Sequence, residues 1–477
     1  MKTACLVTFG CQMNVHDSQR MEELLRADGF ELVAEPEGAD VIILNTCSVR
    51  EKAEQKLRSE VGRLKRLDAL VVVTGCVAQQ EGEKLLSRVS HIDAVIGPDN
   101  LHELPGVLRE LEGGAPPLVR AQFDTEAPRF LVNEAAPGAV ATSAYVTTMK
   151  GCNERCSFCI VPYTRGPERY RSAEDIVAEV ERLVSAGARE VVLLGQTVNS
   201  YRDPAVPMPE GADPDDSQFA SLLRRIVERA PSLVRLRYTS PHPRHVTSDL
   251  LRAHAELAPL AEHVHLPVQS GNDRVLKRMI RRYTRAEFVA RADALRKARS
   301  GLVLSTDVIV GFPGETAAEF DDTLSLVREV GFCGLFGFKY SPRPYTPALK
   351  LRDDVPEEEK QRRLQALFEL SEEQLRAHLA TLVGSRATVL VEGPSKPGAK
   401  TWAGRTQRNE IVHFEAPAPE SEVSSAIGAG AVAVVEIIRA NKHSLEGRVE
   451  SVRVPRAERP RSAYRRIALP LVEAPKS

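Results

Sequence analysis

Cysteine is scarce in this chain: eight among 477 residues, far too few to staple a fold of this size through disulfides. Thiols so sparse serve as metal ligands, catalytic groups or small buried apolar residues. Long apolar runs are missing too, since no stretch approaches the ~20 residues a membrane-spanning helix needs. The N-terminus, MKTACLVTFGCQMN, has too short an apolar stretch and no small-residue cleavage site for a secretory signal. It reads as a first strand, and the chain as cytosolic. An excess of either charge is also absent: 64 basic and 65 acidic side chains leave −1, so no global basic balance announces a nucleic-acid partner. That neutrality is uneven. Residues 1–377 hold 49 basic and 55 acidic side chains, and residues 378–477 hold 15 and 10.

What remains describes a folded protein. With 43% hydrophobic and 27% charged residues, the chain can bury a sizeable core, and its length suggests about three domains. Over residues 1–115, apolar runs at 6–9, 41–45 and 70–75 alternate with helical patterns near 17–28, 50–66 and 79–88. A weaker strand candidate lies at 94–97. Fully apolar strands between amphipathic helices predict a parallel sheet covered on both faces. GGAPP (113–117) and EAAPGA (134–139) bracket a linker over 116–140. Residues 141–377 repeat the alternation, with strands at 144–150, 191–195, 234–239, 264–268, 304–312 and 334–341. Six β/α units make a partial (β/α)6 barrel, two units short of eight; a doubly wound sheet fits the same periodicity. Residues 378–447 carry strands without helices, the mark of a small all-β OB-like barrel. A basic Pro- and Arg-rich tail follows at 448–477.

The cysteines fall into two sets. Cys152, Cys156 and Cys159 share one loop directly after the first barrel strand. A structural zinc site wants four ligands, and no fourth Cys or His lies close in sequence. Three thiolates on a 4Fe-4S cluster leave one iron open for a ligand. Cys11, Cys47 and Cys76 are far apart in sequence, yet TFGC, LNTC and VTGC each end an apolar strand before a helix begins. The carboxyl ends of parallel strands share one edge, where ligands bind, so these thiols converge near helix N-termini that favour thiolate. Cys5 and Cys333 have no such placement and read as core residues. His242, His245 and His265 near strand ends are not needed as ligands once both triads are assigned.

Cys-x3-Cys-x2-Cys in this position resembles the radical S-adenosylmethionine (radical SAM) enzymes. GCNERCSFCIVPYTRGPER, LLGQTVNSY, HLPVQSGNDRVLKRMIRRYT and TDVIVGFPGET resemble the methylthiotransferases among them. NTCSVREKAEQK with the three spaced cysteines resembles that family's N-terminal domain, and GRTQRN its C-terminal TRAM domain, an RNA-binding module. Together these cover residues 1 to about 445 and lie closest to the branch acting on dimethylallyladenosine in tRNA. One run departs from the family: Pro167 and Tyr170 replace an Arg and a Ser in Arg165–Arg171.

The resemblance implies two 4Fe-4S clusters, one on Cys152, Cys156 and Cys159 and an auxiliary one on Cys11, Cys47 and Cys76. SAM would serve both as methyl donor and as source of a 5′-deoxyadenosyl radical, and the product would be isopentenylated adenosine methylthiolated at C2, next to the anticodon. The chemistry is borne by the cofactors and no side chain is assigned as catalytic. Candidate SAM contacts at strand ends are Gly195, Gln196, Gln269, Ser270, Gly311, Gly314 and Glu315. Candidate RNA contacts are Arg278, Arg281 and Arg282, in a stretch (274–299) with ten basic and two acidic residues, and Trp402, Arg405 and Arg408 in the TRAM segment. Expected partners are the tRNA anticodon stem-loop and an electron donor such as flavodoxin or ferredoxin, with no membrane and a monomeric chain. Threonylcarbamoyl-adenosine or a ribosomal-protein side chain is the alternative substrate. A zinc-containing, non-catalytic RNA-binding protein is the alternative of another class.

Overall fold

The computed structural model describes residues 1–48, 51–125, 128–132, 141–213, 215–396, 401–415 and 426–455. Part of the expected linker and residues 456–477 of the expected tail lie outside these. Six parallel strands form the N-terminal sheet: β1 (Thr3–Thr8), β2 (Glu31–Val33), β3 (Val41–Thr46), β4 (Leu70–Gly75), β5 (Ala94–Ile96) and β6 (Leu118–Arg120). Their order is β2-β1-β3-β4-β5-β6. Alternation along β3 sends Val41 and Ile43 into one apolar layer and Ile42 and Leu44 into the other, as a sheet buried on both faces requires. Two edge strands were not foreseen. β2 is only three residues long, and β6 lies inside the expected linker, so the N-terminal domain reaches residue 120 rather than 115. Cys5 is fully buried in this core, whereas Cys333 is only partly buried.

The central region opens with β7 (Ser143–Thr147) and a small hairpin, β8 (Met149–Lys150) with β9 (Arg169–Tyr170). Then come β10 (Glu190–Leu194), β11 (Arg235–Tyr238), β12 (His263–His265), β13 (Val303–Val310) and β14 (Gly334–Lys339). β7-β10-β11 and β12-β13-β14 are parallel triplets joined through a parallel bridge between Leu236 and Leu260. They are the six strands of the partial barrel; β14 and β7 do not pair. Outward residues such as Val146, Leu193, Leu236 and Leu304 join the helices in the largest apolar core.

The inward face at the barrel base is polar. There Glu190 accepts from Arg235 at 3.0 Å and Arg237 at 2.9 Å. Helix Glu357–Ala380 covers the outside of β14 and leads to the C-terminal barrel. This comprises β15 (Arg386–Pro394), β16 (Thr401–Thr406), β17 (Ile411–Glu415), β18 (Val432–Ala440) and β19 (Leu445–Arg453), closed in the order β15-β16-β17-β19-β18. β19 carries this domain past residue 447, where the tail was expected to begin.

Candidate active site

The N-terminal triad is built by three adjacent strands. β1, β3 and β4 neighbour one another in the sheet, and Cys11, Cys47 and Cys76 follow their carboxyl ends. Cys11 precedes helix Gln12–Ala27, and Cys76 opens helix Cys76–Glu81. Gly10 has φ +137°, and a Cβ there would collide with the Cys47 side chain, so glycine lets the two strand ends close up. A hydrogen bond with Cys47 brings the Cys11 thiol down to a pKa of about 6, against the effect of burial and helped by the charge of Arg165. Beneath the triad, Asn14 donates to the Asn45 side chain at 3.0 Å, and Asn45 returns a bond to the Asn14 carbonyl at 2.8 Å. These two buried amides, not foreseen as site residues, tie the helix to β3; an Asn inside VIILN was the available signal.

The second triad lies at the mouth of the central barrel. The Cys152 sulfur is 3.0 Å from the Thr197 hydroxyl, in the turn after β10. Burial lifts the Cys152 thiol to about 12, and burial and the charge of its neighbouring cysteines push Cys159 up as well. Such thiols want a cation, and a cluster iron is one. Among the described residues, no three His, Cys, Asp or Glu side chains close on a single ion's site. By donor type and number, each set of three thiols fits a cluster that keeps one iron open.

Arg281 is a correction. It was expected at the RNA surface, but it is 5% exposed and its guanidinium donates to the Cys156 sulfur at 3.3 Å and to the Pro267 carbonyl at 2.9 Å. Its Nε meets the Tyr283 hydroxyl at 2.9 Å. Burial opposes the charge, but Tyr283 and Cys156 more than offset that and raise its pKa. A basic run in sequence does not distinguish an inward guanidinium from an outward one. Arg282, by contrast, is exposed, while Arg278 is half-buried beside Gly314.

The expected SAM contacts divide. Gln196 follows β10, and both its side-chain polar atoms are buried without a hydrogen-bond partner, the condition of a group awaiting a ligand. Gly195 is packed on Met149 just before it. Gln269 takes φ +73° at the end of β12, a strained conformation typical of functional sites. Ser270 faces away, 3.4 Å from the Thr323 hydroxyl. Gly311, Gly314 and Glu315 form a self-contained turn: Glu315 accepts from the Gly311 amide at 2.6 Å and from Arg363 at 2.8 Å. Glu315 is thus a brace between the turn and helix Glu357–Ala380, although its other oxygen is buried and unpartnered.

Glu154, between Cys152 and Cys156, was not foreseen; it pairs with His245 at 2.9 Å, with His242 3.8 Å away. Those two histidines thus brace the cysteine loop, and His265 sits 3.3 Å from Asp307.

The two triads share one boundary. Met13 and Cys11 pack on Val192 and Leu194, which face the barrel interior. Arg165, six residues past Cys159, crosses to Asp17 at 2.7 Å, and Arg169 pairs with Asp99. The run with Pro167 and Tyr170 is therefore a clamp between domains; Arg165, Arg169 and Arg171 are all buried.

In the C-terminal barrel, Arg405 pairs with Glu392 at 3.0 Å and Arg408 with Glu410 at 3.2 Å. Trp402 rests on the apolar core. The carbonyls of Arg405 and Thr406 accept from Arg235 at 2.7 Å and Arg237 at 2.9 Å. The backbone of GRTQR thus docks onto the central barrel, while the Arg405 and Arg408 side chains, expected as RNA contacts, stay partly exposed.

A partial barrel with a three-thiol loop at its mouth, beside a second three-thiol edge, defines an iron–sulfur radical SAM enzyme. Three family models match in series: Uncharacterized protein family UPF0004 over residues 3–97, the Radical SAM superfamily over 146–327 and the TRAM domain over 380–449. A Sorangium cellulosum protein named tRNA-2-methylthio-N(6)-dimethylallyladenosine synthase is 58% identical, with 98% of each chain covered. A Bordetella petrii protein of the same name is 47% identical over 86% of this chain and 85% of its own. The chain belongs to the tRNA-2-methylthio-N(6)-dimethylallyladenosine synthase family. Its cofactors are iron–sulfur clusters and SAM. Among solved structures, the radical SAM methyltransferase TsrM from Kitasatospora setae superposes with TM-score 0.48 and 18% identity, covering 73% of this chain and 77% of its own. That likeness is too distant to inform function.

Proposed function

We propose that this enzyme transfers a methylthio group to C2 of N6-dimethylallyladenosine beside the anticodon of tRNA, as its relatives are named for doing. The observation that carries the reading is the pair of three-thiol sets facing one mouth. When bound, the clusters and SAM supply one-electron cleavage, a methyl group and sulfur, chemistry that belongs to the cofactors. Cys152, Cys156 and Cys159 would hold the cluster that takes SAM, and Gln196 would meet SAM with its two unpartnered polar atoms. Cys11, Cys47 and Cys76 would hold the auxiliary cluster, with the Arg165 cation beside it. A monomer in the cytoplasm, reduced by flavodoxin or ferredoxin, completes the proposal; no helix among the described residues is long and apolar enough to cross a membrane.

The test is nucleoside analysis of tRNA from a strain lacking the gene. Methylthio-isopentenyladenosine should vanish and isopentenyladenosine accumulate, with restoration on complementation. Loss of a methylthiolated threonylcarbamoyl-adenosine instead would move the substrate. Colourless protein with stoichiometric zinc after anaerobic purification would end the enzyme reading.

Arg281, which donates to the Cys156 sulfur, should tune the potential of the cluster that Cys156 would hold. A buried cation donating to a ligand sulfur favours the reduced, more negative cluster. Arg281→Met should therefore lower the midpoint potential in an EPR-monitored titration, and 59 mV would mean a tenfold change in the one-electron equilibrium. An unchanged midpoint would leave Arg281 with a packing role only.

A further inference from the structure

Tyr163 and Tyr345 stand out at the same mouth. Their side chains are 42% and 55% exposed, and their rings lie 6.0 Å apart, tilted by 36°. Tyr163 sits on the short helix Val161–Thr164, four residues past Cys159. Tyr345 follows β14 on a loop tied to the cysteine loop, where the Ala348 amide donates to the Ser157 carbonyl at 2.8 Å. Large aromatic rings pay no dividend in water; a soluble surface that displays two of them together marks a contact face.

The backbone sets this rim apart. Seven non-glycine residues among those described have positive φ: Arg155, Ser240, Gln269, Ile280, Arg282, Tyr345 and Asn409. All but Asn409 lie in loops on the carboxyl side of the central barrel. Strain gathered in one place is a hallmark of binding and active sites. Tyr345 itself is at φ +66°, which holds its ring outward beside Tyr163. Arg155 and Arg282 are exposed on neighbouring loops, and neither forms an ion pair within 4.0 Å among the described residues, although the charge of Arg282 reaches Glu154 and helps hold its carboxyl down.

We propose that Tyr163 and Tyr345 form a stacking platform for an unpaired nucleobase flanking the target adenosine, with Arg155 and Arg282 on the adjoining phosphates. This rests on the tRNA reading above and specifies where the loop is gripped. Exposed rings interleaved with exposed cations are what single-stranded RNA recognition uses: rings take base faces of any sequence, and cations follow the backbone. The target must leave its own stack to reach a buried cluster, so the neighbouring base loses a partner. An exposed ring pair at the rim replaces that partner. Arg405 and Arg408, already paired with acids, leave this rim as the freer cationic surface.

The test uses the full chain with its clusters and an anticodon stem-loop RNA carrying 2-aminopurine beside the target. Stacking quenches this probe, so wild-type binding should quench it strongly. Tyr163→Ala with Tyr345→Ala should abolish the quench and weaken binding about tenfold or more by anisotropy, with an unchanged salt slope because no cation is removed. Tyr→Phe at both positions should restore quench and affinity, and iron content verifies folding of every variant. If the double alanine protein does not fold, the single variants should each lose part of the quench. Undiminished quench and affinity in an iron-loaded double variant would overturn the proposal. So would intact RNA binding with a raised KM for reduced flavodoxin, which would make the face a protein dock. A wild-type enzyme that ignores the stem-loop altogether would instead refute the tRNA reading itself.

Discussion

Alanine at Cys152, Cys156 and Cys159 together is expected to abolish reductive SAM cleavage and halve the iron, from about eight atoms per chain to about four. Alanine at Cys11, Cys47 and Cys76 should halve the iron equally. It should leave SAM cleavage in place while the methylthio product disappears. The asymmetry follows from location. The first set lies beside Thr197 and the unpartnered Gln196, after β10. The second set lies on the edge of another sheet, with Cys11 against Leu194. Iron and sulfide analysis with EPR reads the clusters, 5′-deoxyadenosine reads SAM cleavage, and chromatography of the RNA nucleosides reads the methylthio product. Persistent SAM cleavage in the first variant would show that these thiols do not hold the reactive cluster.

Glu190→Leu should have the largest effect on stability. The carboxylate lies at the barrel base and receives Arg235, Arg237 and the Ser143 hydroxyl, the last at 2.9 Å. Burial would raise its pKa, but the two arginines hold it below the usual carboxylate range. Leucine would strand two buried guanidiniums, and breaking a buried pair in this way costs about 3–5 kcal/mol. The same guanidiniums hold the GRTQR segment, so the C-terminal barrel should loosen along with the base. Chemical denaturation should show the lost stability, and limited proteolysis should cut near residue 380 first.

The pH dependence has a definite sign. A carboxylate whose folded pKa is depressed stabilises the fold above its unfolded value, about 4.3. That contribution disappears as pH falls through the folded pKa. The variant should therefore lack the part of the acid destabilisation that wild type shows below about pH 4. Equal acid curves would mean that Glu190 is already neutral in the folded protein.

The strands that carry the cysteines were legible because burial on both faces writes itself as unbroken apolar runs such as VIILN and LVVVTG. The triads were legible for a related reason: a thiol at each carboxyl end is a position, and parallel topology converts positions into proximity. Edge strands β2 and β6 were not, since three residues carry no periodicity and β6 follows a Gly- and Pro-rich turn. Arg281 and Arg282 show the deeper limit. They are adjacent and chemically identical, yet one meets a cysteine and the other faces solvent, and only the turn after helix Asp273–Arg278 decides which. Glu315 looked like a ligand residue in a glycine-rich turn, but its partner, Arg363, lies 48 residues away and left no local trace.

Among the described residues, β7 and β14 do not pair with each other, so the six strands of the central barrel form an arc rather than a ring. At the β7 side that arc meets the N-terminal domain: a ring nitrogen of His16 lies 3.3 Å from the Thr147 hydroxyl, and Met13 packs on Val192 and Leu194 with Cys11 beside it. The gap thus lets residues of another domain reach the interior. A full ring of eight strands would have filled its interior with its own side chains and kept the two sets of thiols apart.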